Sequence, residues 1–269
     1  MTGIEDLRWA WWAHRQVPYR FQEIWTKKGR DAHYRRLVTY LSTRMAEEVR
    51  RDLMNRGLRA PANWTDTDLA ELHEVLVGRC YEVAGFLPEE DGLTVDVGCG
   101  FGDFSLLAAR RCDVLSFDPN PENTRRTGEL LGANRLEGRV SVETVALGGR
   151  NGVISLGRSG DAMVSRASVR EAREHPLRTL DSLPLDRRVD LLKIDVEGME
   201  ADVLVGANSM LRKDRPRIIV EVHGRGPAKA VREILMGLGY TLAWSGPKRH
   251  GWQFGPVSNE FWKAEKGAS

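Results

Sequence analysis

The sequence predicts an α/β fold with a mostly parallel sheet, preceded by an N-terminal helical region. From Gly92 onward, short β-rich runs alternate with helical segments, and this alternation is typical of βαβ units whose strands pair in parallel. A glycine-rich turn, GCGFG at residues 98–102, lies between the first β-rich run and a helix. Rossmann-like folds place such a turn at the carboxyl end of a strand, where ligands bind. We therefore expect residues 1–90 to form the helical region and residues 91–269 to form the ligand-binding domain.

The N-terminal region contains two predicted amphipathic helices. Apolar residues recur at helical spacing from Tyr34 to Leu53, with charged residues on the other face. A second helix is expected behind Thr65, which forms a cap-like pair with Asp68. Ahead of both lies an aromatic group that we expect to pack a helix or a subunit interface, with a substrate pocket as the alternative: Trp9, Trp11, Trp12, Tyr19, Phe21 and Trp25. This region is therefore the expected contact of a homo-oligomer.

Charge and cysteine content narrow the class of protein. Residues 1–60 contain thirteen Lys and Arg against seven Asp and Glu, a charge of +6, while the whole chain carries +2. A basic segment can attract nucleic acid or a phosphorylated substrate, but a solvated helix face is the commoner cause. The three cysteines form no CxxC pair, which argues against a disulfide framework and a thiolate zinc site. With no run of ~18 apolar residues and no signal pattern at the start, we expect a cytoplasmic protein without a membrane span.

The β-rich and helical runs of the larger domain follow one another from residue 93. We expect them to build a seven-stranded sheet with helices between the strands: LTVDVG, DFSLLAARR, DVLSFD, PENTRRTGELLGAN, RVSVETVAL, VDLLKIDV, EGMEADVLVGANSMLR and RIIVEVH. Between residues 148 and 180 the pattern is looser. There NGVISLG and AMVSRASV predict short strands, which would form a hairpin beside the site.

The first glycine turn and the following strand predict an adenosine ligand. Gly98, Gly100 and Gly102 lack side chains, so backbone amides in the turn can approach a ligand closely. Asp118 lies twenty residues beyond Gly98, where the next strand ends in SFDPN, and can accept hydrogen bonds from both ribose hydroxyls. The alternative is that Asp118 only forms the turn before Pro119. Because the glycine spacing is shorter than the dinucleotide GxGxxG, a methyl donor is favoured over a nicotinamide.

Six segments, in this order, resemble the FkbM family of methyltransferases: TVDVGCGFGDFSLLA, SFDPNPENTRRTGELL, ETVALGGRNGVISL, RTLDSL, LLKIDVEGMEADVLVGA and RPRIIVEVHG. The resemblance covers roughly residues 93 to 223 and implies a Rossmann-like class I methyltransferase fold that binds S-adenosylmethionine and methylates hydroxyl groups. Cys99 and Phe101 depart from the family, which often has alanine and isoleucine there. Residues 1–92 carry no family motif.

The resemblance also implies which residues bind the cofactor, all of them near the carboxyl ends of the first strands. The methionine end would be held by Asp96, Gly98, Gly100 and Phe101. The ribose would be held by Asp118 and Asn120, and the adenine would be bordered by Glu143 or Ala146.

Acidic residues and a histidine end two neighbouring strands later in the chain. Asp195 and Glu197 follow one predicted strand, and Glu221 and His223 end the next. We predict that His223 takes the proton of an acceptor hydroxyl, supported by Glu221, Asp195 and Glu197, because its unperturbed pKa suits a base. Two alternatives stay open. Glu221 and His223 order the adjoining loop or pair with Lys193 or Arg225, or a divalent cation is bound by Asp195, Glu221 and His223. No spacing motif supports the metal, so none is expected.

These features predict S-adenosylmethionine-dependent O-methylation of a small hydroxylated acceptor. The resemblance favours a sugar, a glycoside or a natural-product intermediate, and we expect no nucleic-acid partner. Three alternatives remain: an RNA methyltransferase using the basic segment, an NAD-dependent oxidoreductase with the same fold, and a non-catalytic nucleotide-binding protein. Binding experiments with S-adenosylmethionine, NAD and RNA would distinguish them.

Overall fold

The structure, a computed structural model, describes residues 31–156, 173–247 and 257–265. The chain forms two compact units, Met1–Arg79 and Cys80–Ser269. The second unit thus includes residues 80–90, which we had expected in the helical region, and one reason is that the Phe86 ring packs edge-on against Phe261 at 5.1 Å. The aromatic group at residues 9–25 and the predicted strand AMVSRASV lie outside the described residues.

The described part of the first unit is helical, as predicted. It contains α1 (Asp31–Asn55), α2 (Asp66–Glu71) and α3 (His73–Leu76). Thr65 and Asp68 form the predicted capping box, in which the Thr65 amide donates to Asp68 Oδ2 at 2.7 Å. None of the helices in the described part of the chain combines the length and the apolar character that crossing a bilayer requires.

The second unit is built on a seven-stranded sheet, in agreement with the sequence. The strands of this sheet are β1 (Leu93–Val97), β2 (Asp113–Phe117), β3 (Val140–Glu143), β7 (Leu191–Ile194), β8 (Arg217–His223), β9 (Tyr240–Pro247) and β10 (Val257–Ala264). They lie in the order β3-β2-β1-β7-β8-β10-β9. The first five pair in parallel, whereas β10 pairs antiparallel with both of its neighbours. The helices of this unit are α4 (Asp103–Ala109), α5 (Pro121–Ala133), α6 (Glu200–Val205), α7 (Asn208–Asp214) and α8 (Arg225–Gly237).

A smaller sheet lies where the sequence pattern is loose. It consists of β4 (Ala146–Leu147), β5 (Gly152–Leu156) and β6 (Arg173–Arg178), in the order β4-β6-β5. The predicted strand at β5 is therefore present. Its described partner is β6, which pairs with it antiparallel and which the pattern did not indicate.

Two predicted elements are each split in the structure. RVSVETVAL forms β3 and β4, which belong to different sheets. The long helical run predicted at residues 197–212 breaks between α6 and α7 at Gly206, where a Cβ atom would lie 2.0 Å from the Gly148 carbonyl oxygen. The close passage of another backbone segment is therefore the physical reason for glycine at the break.

The strand order places a switch point between β1 and β7. From β1 the chain continues outward to β2 and β3, and it later returns to the other side of β1 to form β7 and β8. Ligands of open parallel sheets bind in the crevice at the carboxyl ends of the strands that flank such a point. Both strands are fully buried, so the groups that follow them stand on a rigid support.

Candidate functional site at the carboxyl ends of β1, β2, β7 and β8

The glycine turn after β1 packs closely against its neighbours at Gly98 and Gly102 and is open at Gly100. Gly98, Gly100 and Gly102 all have positive φ, of +78°, +55° and +84°. A Cβ atom on Gly98 would lie 1.8 Å from the Asp195 carbonyl oxygen, and one on Gly102 would lie 2.6 Å from the Thr127 side chain. At Gly100 a Cβ atom would meet no atom of the described residues within 4 Å. The turn thus leaves open space beside its central glycine.

Asp96 and Lys193 tie this turn to the neighbouring strand. Asp96 is fully buried in β1, and Ser105 Oγ donates to its Oδ2 at 2.6 Å. Lys193 Nζ lies 3.0 Å from Asp96 Oδ1 and donates to the Gly98 carbonyl oxygen at 2.7 Å. Burial lowers the pKa of Lys193, but the charges of Asp96 and Asp195 raise it by more, so the pKa lies above its ordinary range. Both carboxylate oxygens of Asp96 therefore face protein groups, and Asp96 acts on the turn through Lys193.

Asp118 follows β2 and lies beside the turn. Its Oδ2 accepts a hydrogen bond from the Gly100 amide at 3.0 Å, and its Oδ1 accepts from the Asn120 amide at 2.8 Å and from Asn123 at 3.1 Å. Burial raises the pKa of Asp118, while these three hydrogen bonds oppose the rise. Asn120 caps α5 by accepting from the Glu122 amide at 3.0 Å. The proposed ribose ligands Asp118 and Asn120 are thus adjacent to each other and to the glycine turn.

The remaining predicted cofactor residues differ in their surroundings. Phe101 is half-buried in the turn, and the Arg126 guanidinium lies 5.9 Å from its ring centroid. Glu143 is exposed at the end of β3, where its carbonyl oxygen accepts from the Asp118 amide at 3.2 Å. Ala146 is buried in β4 and packs in the apolar cluster of the small sheet. Glu143 is therefore linked directly to Asp118, whereas Ala146 belongs to the support of the small sheet.

His223 ends β8 and is surrounded by carboxylates. It is 8% exposed, and its Nδ1 lies 2.7 Å from Glu200 Oε1. Its Nε2 faces three further carboxylates: Glu221 Oε1 at 3.3 Å, Glu197 Oε2 at 3.4 Å and Asp195 Oδ1 at 3.9 Å. All four residues predicted for catalysis are thus brought together. The pairing expected as an alternative differs, since Lys193 contacts Asp96 and Asp195.

These surroundings change the chemistry expected of His223. Burial lowers the pKa of His223, but hydrogen bonds to Glu200 and Glu221 and the charge of Glu197 raise it to about 12. An imidazole with such a pKa carries both ring protons at neutral pH and has no free lone pair to accept another. An unperturbed pKa therefore does not describe His223 in the folded protein, because neighbouring carboxylates hold the ring in its protonated form.

Several residues of the site were not predicted from the sequence. Tyr81 OH lies 3.0 Å from both Asp195 Oδ2 and Glu221 Oε2 and so bridges the two strands. Glu200, which holds His223, was interpreted only as part of a helix. Asp103 begins α4 directly after the turn, and burial raises its pKa to about 7 against the charge of Lys193. For Asp103 and Glu200 the signal is an acidic residue at a helix start beside the motif, while Tyr81 has no local signal.

Comparison with known proteins agrees with this architecture. The family described as Methyltransferase FkbM domain matches residues 96–242, more than half of the chain. The chain is 30% identical over 152 residues to the hexuronic acid methyltransferase AglP of Haloferax volcanii, covering 55% of this chain and 62% of AglP. It is 27% identical over 161 residues to the 2-O-methyltransferase NoeI of Sinorhizobium fredii, covering 50% of this chain and 65% of NoeI. The chain thus spans less than two thirds of the length of either relative.

A solved structure shares the fold. The crystal structure of Methyltransferase FkbM from Methylobacillus flagellatus KT matches with a TM-score of 0.51 and 15% identity, over 85% of this chain and 59% of that chain. The sheet therefore has the Rossmann-like class I methyltransferase fold that the sequence predicted. The family match includes both Asp96 and His223, and the chain belongs to the FkbM family of methyltransferases.

Proposed function

We propose that the chain transfers a methyl group from S-adenosylmethionine to a hydroxyl group of a sugar, a glycoside or a related natural-product intermediate. The proposal rests on two groups of residues that lie side by side at the switch point between β1 and β7. The glycine turn with Asp118 contacts the backbone of Asp195, and Asp195 belongs to the carboxylate cluster around His223. A nucleotide-binding half and an acid–base half are thereby adjacent, as transfer between two bound molecules requires.

The residues around the turn suit S-adenosylmethionine. Open space beside Gly100 leaves room for a ligand to approach the backbone. Among the described residues, Asp118 Oδ2 accepts a single hydrogen bond, from the Gly100 amide, and a carboxylate oxygen has capacity for a further donor such as a ribose hydroxyl. On this proposal Gly98 and Phe101 line the methionine side. Asn120 assists at the ribose, Glu143 and Ala146 border the adenine, and Asp96 acts through Lys193.

The carboxylate cluster suits an acceptor hydroxyl. When bound, S-adenosylmethionine supplies an electrophilic methyl group on its sulfonium. The acceptor oxygen would form the new bond to the methyl carbon while the methyl–sulfur bond breaks, and the proton of the acceptor O–H bond needs a base. One of the carboxylates Asp195, Glu197 and Glu221 receives that proton, since His223 already carries its own. A sugar acceptor is supported by the two similar proteins, which are a hexuronic acid methyltransferase and a 2-O-methyltransferase.

Calorimetry with S-adenosylhomocysteine tests the cofactor half of the proposal. Asp118→Ala should weaken binding by about 1.5–3 kcal/mol, the cost of losing hydrogen bonds to a charged group. Asp113→Ala is the matched control, because Asp113 lies at the opposite end of β2, where it pairs with Arg187 and Arg139. Equal affinities of the two variants would remove Asp118 from the cofactor site.

Transfer itself is tested with labelled S-adenosylmethionine and a panel of acceptors. Uronic acids, nucleotide sugars and glycosides should accept the label, and the product should carry it as an O-methyl ether by mass spectrometry and NMR. A structured RNA and a protein belong in the same panel. Label transferred to RNA and to no sugar would contradict the proposed acceptor class, although the methyltransferase assignment would stand.

A further inference from the structure

We infer that Asp195, Glu197 and His223 form a binding site for a divalent metal ion of the Mg²⁺ or Mn²⁺ kind. One ligand atom from each residue lies within 4.8 Å of the other two. His223 Nε2 lies 3.4 Å from Glu197 Oε2 and 3.9 Å from Asp195 Oδ1. In an octahedral site with bonds of 2.0–2.1 Å, neighbouring ligand atoms stand about 3 Å apart. Movements of less than about 1 Å would therefore bring the three atoms onto one ion.

The orientation of the His223 imidazole supports a metal site independently of the acidic residues. His223 is buried at the end of β8, and Glu200 Oε1 lies 2.7 Å from its Nδ1. Glu200 is fully buried and is itself oriented by the Gly198 amide, which donates to the same oxygen at 2.8 Å. A carboxylate on one ring nitrogen is how metal-binding histidines are oriented, because it fixes the other nitrogen toward the ion. Here that other nitrogen faces the oxygens of Asp195 and Glu197. Without an ion the imidazole carries a proton on each ring nitrogen, so a bound ion would replace the proton on Nε2 while Glu200 keeps the proton on Nδ1.

The second carboxylate oxygen of Glu200 also supports a bound cation near His223. Within the described part of the chain, Glu200 Oε2 is buried and has no hydrogen-bond partner. A buried carboxylate with an unbonded oxygen is costly unless positive charge lies close by. Four carboxylates surround His223, each with an oxygen 2.7–3.9 Å from a ring nitrogen. Added positive charge at the imidazole would therefore stabilise Glu200 and the whole group.

Tyr81 arranges the remaining oxygens. Its hydroxyl lies 3.0 Å from Asp195 Oδ2 and from Glu221 Oε2, on the oxygens that do not face His223. Asp195 Oδ1 and Glu221 Oε1 are left facing the imidazole, so Glu221 stands ready as a fourth ligand or as an acceptor of a proton. The side chain of Glu197 is 55% exposed, which gives an ion a route from solvent. The sequence had suggested Glu221 as a ligand, and the geometry points to Glu197 instead.

The donor set indicates the class of ion. Two carboxylates with one imidazole suit Mg²⁺ and Mn²⁺ better than a thiolate-seeking metal. Three protein ligands leave positions for water or for a substrate with adjacent hydroxyl groups. If the proposed function holds, the ion would bind the acceptor hydroxyl and lower its pKa. Its proton would pass to Glu221 while the oxygen forms the bond to the methyl carbon and the methyl–sulfur bond breaks.

Metal binding is tested on the full chain without S-adenosylmethionine and without an acceptor. Titration with Mn²⁺ alone, followed by electron paramagnetic resonance and by calorimetry, should show one site. Glu197→Gln should weaken Mn²⁺ binding at least tenfold, and its exposed position makes misfolding a poor explanation. Glu233→Gln is the matched control, because Glu233 is an exposed residue of α8 paired only loosely with Lys229 at 3.7 Å, and it should bind Mn²⁺ as the wild type does.

A substitution away from the ligands tests the role of Glu200. Glu200→Gln should weaken Mn²⁺ binding by about 10- to 100-fold, the effect expected when the partner of a ligating histidine is lost. Absence of a Mn²⁺ site in the wild type, or equal affinity of the wild type and Glu197→Gln, would overturn the inference even if the enzyme methylates sugars in the presence of chelator. Conversely, a site that needs Glu197 and Glu200 supports the inference even if no sugar is methylated. The two proposals can therefore fail separately.

Discussion

Replacing Lys193 by Met should destabilise the sheet domain, because the change leaves the carboxylate of Asp96 buried without its cation. Lys193 Nζ lies 3.0 Å from Asp96 Oδ1, and the two side chains are 4% and 0% exposed. Lys193 also donates to the Gly98 carbonyl oxygen at 2.7 Å. Methionine is flexible and of similar length, so it removes the charge without opening a large cavity.

The size of the effect follows from burial. Removing one partner of a buried ion pair typically costs about 3–5 kcal/mol. Ser105 still donates to Asp96 Oδ2 at 2.6 Å, and Asp96 can bind a proton instead, so we expect the lower end of that range, about 3 kcal/mol. For a unit of this size the melting temperature should fall by roughly 6–12 °C. The pKa of Lys193 is raised in the folded state, so its contribution is fully present below the unfolded pKa of about 10.4 and should be constant around neutral pH.

Urea unfolding followed by tryptophan fluorescence measures this loss, since Trp262 is buried in β10 of the same unit. Lys229→Met is the control, because the side chain of Lys229 is 79% exposed. The double variant Asp96→Asn with Lys193→Met should be more stable than the two separate losses predict, because it removes both charges. If Lys193→Met is no less stable than Lys229→Met, the pair contributes nothing and the reasoning from burial is wrong.

Three further predictions concern stability. The pKa of His223 is about 12 in the folded protein and about 6.5 in the unfolded chain. The contribution of His223 to the free energy of unfolding is therefore complete below about pH 6.5 and is lost as the pH rises toward 12. His223→Gln in chelator should therefore remove up to about 1.4 kcal/mol per pH unit from the alkaline slope of the unfolding free energy, and an unchanged slope would contradict the assigned pKa. Thr65→Ala should destabilise the first unit by about 0.5–2 kcal/mol through loss of the α2 cap, measured by its thermal transition, and no change would mean that the cap is not populated in solution. Gly98→Ala should destabilise the second unit by more than about 1 kcal/mol, because its Cβ would clash with Asp195 at 1.8 Å. By contrast, the Cβ added by Gly128→Ala inside α5 would contact no described residue, so this variant should stabilise the second unit by up to about 1 kcal/mol. If Gly98→Ala is the more stable of the two variants, the predicted clash at Gly98 is wrong.

The parts of the fold that were predictable from sequence depend on short-range patterns. A buried strand followed by glycines and a helix is visible within ten residues, and the acidic residue at the end of the next strand is found by counting from Gly98 to Asp118. The capping box at Thr65 is similarly local. In each case the side chains that decide the structure lie on the same or the next element, so spacing alone indicates their relation.

The parts that could not be predicted depend on contacts between distant segments. The break at Gly206 exists because Gly148 passes 2.0 Å from its Cβ position, and nothing near Gly206 in the sequence reveals that passage. Likewise, Tyr81 reaches Asp195 and Glu221 across more than a hundred residues. The raised pKa of His223 depends on three carboxylates, one from a strand, one from a loop and one from a helix, so its protonation at neutral pH could not follow from an unperturbed value.

The two halves of the site are coupled through β7. Lys193 is the third residue of this strand and holds the glycine turn through the Gly98 carbonyl oxygen. Asp195, two residues later, places its carbonyl oxygen against the Cα of Gly98 and its side chain beside His223. A shift of β7 by a fraction of an ångström would therefore move the glycine turn and the carboxylate cluster together. Methyl transfer depends on the distance between donor and acceptor, so on the proposed function this one buried strand would fix that distance by supporting both halves of the site.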